Sequence, residues 1–134
     1  MSRVRLNGSA GLHDGGFAYS ATVAPGPLVF TAGISPLDAE GGIVAPGDVV
    51  GQTRRCLEIL RIVLAEQGAS FADIVKLTVY VAERLQADLV VAWQEIVATV
   101  DPPVPPAMMM GVTVLAYDDQ LVEIEAIAAP AGTR

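Results

Sequence analysis

Residues Ala107–Pro130, AMMMGVTVLAYDDQLVEIEAIAAP, decide how the chain is read. The stretch divides into two strands joined by a polar turn at Tyr117–Gln120. The first strand opens on three consecutive methionines, Met108–Met110. The second carries Glu123 and Glu125 among Leu121, Val122, Ile124, Ala126, Ile127 and Ala128. Side chains alternate between faces along a strand. Glu123 and Glu125 therefore share one face, and Val122, Ile124, Ala126 and Ala128 make the other wholly apolar. Carboxylates in so apolar a segment have two readings. They lie on a solvated face, paired with Lys76 or an arginine, or they stand where their ionisation matters. The methionines likewise read as core or interface packing, or as the wall of a binding site.

Working back from this stretch, Asp101–Pro106 (DPPVPP) ends a helix and forces an extended segment. That helix spans about Leu85–Val100, with Leu85, Leu89, Trp93, Ile96, Val97 and Val100 as its apolar stripe and Trp93 as a packing anchor. Before it, Ile74–Val81 (IVKLTVYV) is a β-branched strand. Alternation places Val75, Leu77, Val79 and Val81 on one face, and Lys76, Thr78 and Tyr80 on the other. An earlier helix runs from about Val49 to Gln67, capped by Asp48 and followed by Gly68. Val49, Thr53, Cys56, Leu57, Leu60 and Leu64 recur at three- and four-residue steps on one side. Phe17–Val23 and Leu28–Gly33 read as strands of a hairpin across the turn Ala24–Pro27. Residues 1–16 read as an irregular arm or a short edge strand.

The element order is β-β-α-β-α-β-β within one domain, 1–134. Two amphipathic helices need a sheet face to bury their stripes, which gives an α+β fold with both helices on one face. The chain is 52% hydrophobic and 17% charged over 134 residues. That is enough apolar surface to expect other subunits to cover the second sheet face. The net charge of −7, with eight Lys+Arg and no basic stripe, argues against a nucleic-acid partner. No apolar run approaches the ~20 residues of a membrane span, and no leader-like apolar segment opens the chain. A soluble, cytoplasmic protein is expected.

Familiar chemistries are mostly excluded. One cysteine and one histidine cannot build a Cys/His metal centre, and no metal or cofactor is expected. No phosphate-cradling glycine loop is present. His13 reads as an exposed loop histidine, and Cys56 as a small core residue whose burial opposes ionisation. Glu123, with Glu125 beside it, remains the candidate for proton transfer.

The segments AYSATV, LVFTAGISP, GDVVGQTRRCLEIL, GASFADIVKLTVYV, PPAM and VEIEAIA run through almost the whole chain. Together they resemble the reactive intermediate deaminase family (Rid/YjgF), also called endoribonuclease L-PSP. The resemblance implies a chorismate-mutase-like fold with a mixed sheet. It also implies a homotrimer with clefts between subunits, and hydrolysis of enamines or imines to ketoacids and ammonia. It assigns Tyr19 and Glu123 as catalytic, Glu123 helping to hold the attacking water. Gly33 lines the cleft with its backbone. Where the family carries an arginine that clamps the substrate carboxylate, this chain has Met108. Ala32 replaces a serine, Ile34 a glutamine and Met110 a cysteine.

These departures make the cleft wall apolar: Gly33, Ala32, Met108 and Met110 become the substrate-binding candidates. A guanidinium grips a carboxylate with a bidentate fork, and methionine offers no donor. Activity on 2-iminopropionate-type acids is therefore expected to be weak or absent. Two functions stay open. One is a Rid-like hydrolase or deaminase of a small neutral or apolar enamine or imine. The other is a non-catalytic homologue that binds a small molecule or a partner. RNA cleavage finds no support in so acidic a chain.

Overall fold

The computed structural model describes residues 2–131. Six strands and two helices follow one another as β1 (Val4–Asn7), β2 (Ser20–Val23), β3 (Val29–Phe30), α1 (Val49–Glu66), β4 (Ile74–Val81), α2 (Gln86–Thr99), β5 (Ala107–Gly111) and β6 (Val122–Ala128). A single 3-10 turn, Phe71–Asp73, leads into β4. The main sheet has the order β3-β6-β4-β5. β6 runs antiparallel to both β3 and β4, and β5 runs parallel to β4, so the sheet is mixed. The parallel pair is made through α2, the crossover such a pair requires.

α1 forms as its sequence dictates. The Asp48 carboxylate accepts from the Gly51 amide at 3.0 Å, and the chain leaves the helix at Gly68 with φ +74°. Its stripe of Val49, Thr53, Cys56, Leu57, Leu60 and Leu64 is buried throughout. α2 buries Ala92 and Ile96 fully, while Leu89 and Trp93 pack partly against the core. Leu85 and Val97 are exposed, so the stripe of α2 is narrower than its sequence suggests. A bidentate Arg54–Glu95 ion pair ties the helices together, with contacts of 2.9 and 3.0 Å. Both helices cover the face of the sheet formed by Leu77, Val79, Val81, Val122, Ile124, Ala126 and Ala128.

Three local expectations change. The expected β2–β3 hairpin is absent: β2 pairs with β1, and β3 pairs with β6. Partners distant in sequence win because β3 completes the edge of the main sheet, while residues 4–7 form an edge strand for β2. The two C-terminal strands are likewise not paired with each other, since β4 lies between them. Finally, a register irregularity between Ile74 and Lys76 buries Ile74 where alternation would bury Val75. Arg3 knits the ends together, donating to the carbonyls of Ala24, Pro27 and Pro130.

Candidate functional site

The outer face of the main sheet carries the paired carboxylates and most of the candidate residues. The register sets Glu123 opposite Tyr80, and Tyr80 opposite Met110. It also sets Glu125 opposite Thr78, and Thr78 opposite Met108. Residues directly opposite in a sheet point to the same side. Glu123, Glu125, Tyr80, Thr78, Met108 and Met110 therefore share one face. Met109, between them, turns inward and packs on the core. Met108 is half exposed.

Glu123 is positioned by three elements. Ile34 and Ile124 exchange backbone hydrogen bonds of 2.7 and 3.1 Å, which bring the segment after β3 alongside β6. Gly33 thereby lies against the carboxylate: a Cβ built on it would meet the Glu123 carboxyl carbon at 2.8 Å and Oε2 at 2.9 Å. Only a residue without a side chain leaves that carboxylate where it is. On the other side, Ser35 Oγ donates to Glu123 Oε1 at 3.3 Å, and Gln120 Nε2 donates to Ser35 Oγ at 2.9 Å. Gln120 also reaches the Val122 carbonyl at 3.1 Å.

The approach to β6 is held from α1. Fully buried Gln52 donates to the carbonyls of Ala45 and Asp119, and its oxygen accepts from the Leu121 amide at 2.7 Å. Asp119 has φ +66°, a conformation that aspartate tolerates better than most residues. Sequence reasoning missed Ser35, Gln120 and Gln52. For Gln52 a signal exists: it sits four residues before Cys56, on the buried stripe, as a polar residue that must find partners. Ser35 is marked only by lying two residues past Gly33. Gln120 stands in a polar turn that nothing in the sequence distinguishes.

Glu125 accepts from the Tyr80 hydroxyl at 3.1 Å. That hydrogen bond raises the Tyr80 phenol above its ordinary range, with burial and the charges of Glu125 and Glu123 adding. Lys76, Phe30 and Thr31 line a hollow of about 220 Å³ beside Glu125. Behind Glu123, on the core side, the Cys56 thiol lies 3.4 Å from the Ile34 carbonyl oxygen and 3.7 Å from that of Val122. Burial pushes the thiol up to about 12, and the Glu123 charge adds.

Of the residues singled out from sequence, the fold brings Gly33 and Glu123 together and sets Met108 and Met110 on the same face. Ala32, beside Gly33, is exposed. Tyr19 stands apart. It lines a separate hollow of about 290 Å³ with His13, Asp14 and Phe17, which contains none of the other candidates. Its hydroxyl donates to the His13 carbonyl at 2.8 Å. His13 is exposed, as a loop histidine should be. No helix of the described residues is long and apolar enough to cross a membrane.

The endoribonuclease L-PSP family model matches residues 16–130. A RutC family protein of Pyrococcus abyssi is 42% identical over 65 residues, which span about half of either chain (48% and 51%). The 2-iminobutanoate/2-iminopropanoate deaminase of Salmonella typhimurium is 34% identical over 110 residues, covering 82% of this chain and 85% of that one. Among solved structures, the Rid protein family member YyfB from Yersinia pestis superimposes with a TM-score of 0.83 at 30% identity. That match covers 94% of this chain and 98% of the other. A match of this extent in both sequence and fold places the chain in the endoribonuclease L-PSP (Rid/YjgF) family.

Proposed function

We propose that the protein is a Rid-type hydrolase or deaminase of a small neutral or apolar enamine or imine, working in clefts of a cytoplasmic homotrimer. The observation that carries this is the Glu123 carboxylate, seated on Gly33 and supported by Ser35. It makes no ion pair among the described residues. A carboxylate so held can take a proton from water as the oxygen attacks the C=N carbon. It passes that proton to nitrogen to give a carbinolamine, then moves the remaining hydroxyl proton to nitrogen as the C–N bond breaks, leaving a carbonyl compound and ammonia. The relative named as a deaminase supports the reaction type. Met108 and Met110 supply an apolar wall with no donor for a carboxylate, so the substrate class shifts toward neutral imines. The trimer enters this reading because Tyr19 does not reach the Glu123 side within one protomer. A neighbouring subunit would bring the two together.

A second reading, a homologue that binds a small molecule without chemistry, is favoured by the engagement of the Tyr19 hydroxyl with the His13 carbonyl. The test is 2-iminopropionate hydrolysis by the wild type, Met108→Arg, and Met108→Arg combined with Glu123→Gln. The hydrolase reading expects a near-silent wild type, a gain of about tenfold or more from the arginine fork, and loss of that gain with Glu123→Gln. If the arginine variant is as silent as the wild type, ligand binding becomes the function. A vigorous wild type would show instead that Met108 does not abolish recognition of the carboxylate.

A further inference from the structure

A second hollow, remote from Glu123, lies where the C-terminal parts of α1 and α2 meet the start of β4. Its volume is about 420 Å³, at the small end of ligand sites. Two opposite charges line it: Arg61 from α1, and Asp101 just beyond α2. They do not neutralise each other, because Arg61 forms no ion pair among the described residues. The acidic neighbours of Arg61 are already committed, Glu58 to Arg55 and Glu95 to Arg54. The Arg61 guanidinium lies over the Phe71 ring, 4.5 Å from its centroid. That contact restrains the guanidinium while leaving its donors unused, since its side chain donates no hydrogen bond among the described residues. Less ordering is then lost when it grips a ligand. Leu6, Ile74, Val100 and Pro105 supply apolar wall to the same hollow, with Ser70 and Thr99 as its uncharged polar members.

We propose that this hollow binds a free α-amino acid with an apolar side chain. The ligand's carboxylate meets the Arg61 fork, its ammonium meets Asp101, and its side chain lies on the apolar wall. Electrostatics selects the zwitterion. A phosphate or dicarboxylate would face Asp101 and a protein of net charge −7, and a simple amine would face Arg61. The proposal does not depend on the reaction assigned to Glu123.

Titration calorimetry of the full chain tests it with three isosteres: L-leucine, 4-methylpentanoate (no ammonium) and 3-methylbutylamine (no carboxylate). Saturable leucine binding is expected, with each singly charged analogue at least about tenfold weaker, the loss of one charge-assisted contact. Arg61→Gln and Asp101→Asn should each weaken leucine by a similar factor, and Glu123→Gln should leave it unchanged. The analogue comparison uses the unmutated chain, so it decides even if a substitution disturbs folding. Absence of saturable heat overturns the proposal. So does leucine binding that survives both substitutions, or that is lost with Glu123→Gln, because the ligand then sits elsewhere. Equal affinity for 4-methylpentanoate overturns it too, since the hollow would then be a plain anion site.

Discussion

The two faces of β6 differ in burial and in chemistry. On the inner face, Val122, Ile124, Ala126 and Ala128 are at most 3% exposed and belong to the core. On the outer face, Glu123, Glu125 and Ile127 are only partly covered. Neighbours in sequence thus face opposite surroundings: Ile124 holds the sheet to the helices, and Glu123 presents the carboxylate proposed as the base. The alternation of a strand keeps the two tasks apart while the backbone couples them. The Ile34–Ile124 bridge that joins the core also seats Gly33 on the Glu123 carboxylate.

The largest effects should cross over between the faces. Ile124→Ala removes a fully buried side chain and should cost about 2–5 kcal/mol in urea denaturation. Glu123→Gln should leave stability within about 1 kcal/mol but lower hydrolysis of a neutral imine by roughly 10²–10⁴-fold. A large stability loss from Glu123→Gln would dissolve the contrast. Next, Cys56 reports how well the inner face is sealed. With its thiol pushed up to about 12, alkylation of the native protein at pH 8 should run roughly a thousandfold slower than after unfolding. Fast native labelling would mean that the core behind Glu123 opens readily.

Gly33→Ala sharpens the comparison from the outer side. The atoms nearest the new methyl are the far end of Glu123, which can swing away, so the melting temperature should barely move. The displaced carboxylate should nevertheless cost up to about a hundredfold in kcat/KM. The smallest effect concerns Tyr80. Its phenol is raised above the ordinary range in the fold, chiefly by the hydrogen bond to Glu125. The stabilisation from the neutral phenol is therefore complete at neutral pH and disappears as pH climbs through the folded value, above the usual ~10 for tyrosine. Tyr80→Phe should make the alkaline slope in a series of pH-dependent melts shallower, leaving the part that the raised Cys56 thiol contributes.

Much of this was legible in the chain. The stripe of α1, its cap at Asp48, the extent of β4 and the inward set of β6 all follow from periodicity, because each depends on a local repeat meeting one apolar layer. Pairing was less legible. The Ala24–Pro27 turn suggested a hairpin, yet β2 and β3 each had a better partner far away in sequence. Nor does alternation foresee the irregularity that swaps Ile74 for Val75. At the site, Glu123, Gly33, Met108 and Met110 were nameable through the family resemblance. The support from Ser35, Gln120 and Gln52 was not, because those hydrogen bonds join segments that only the fold brings together.

The strand order has a consequence for how the protein is made. β6, at residues 122–128, fills the gap between β3 and β4, two strands that do not touch each other. A nascent chain that has not yet emerged through residue 128 holds two finished helices and no complete surface to lay them on. Vectorial synthesis can therefore complete only the β4–β5 part of this sheet, with α2 on it, before β6 is made. The apolar stripe of α1, which packs on β6, waits for that late insertion, and that interval is when a chaperone has most to shield.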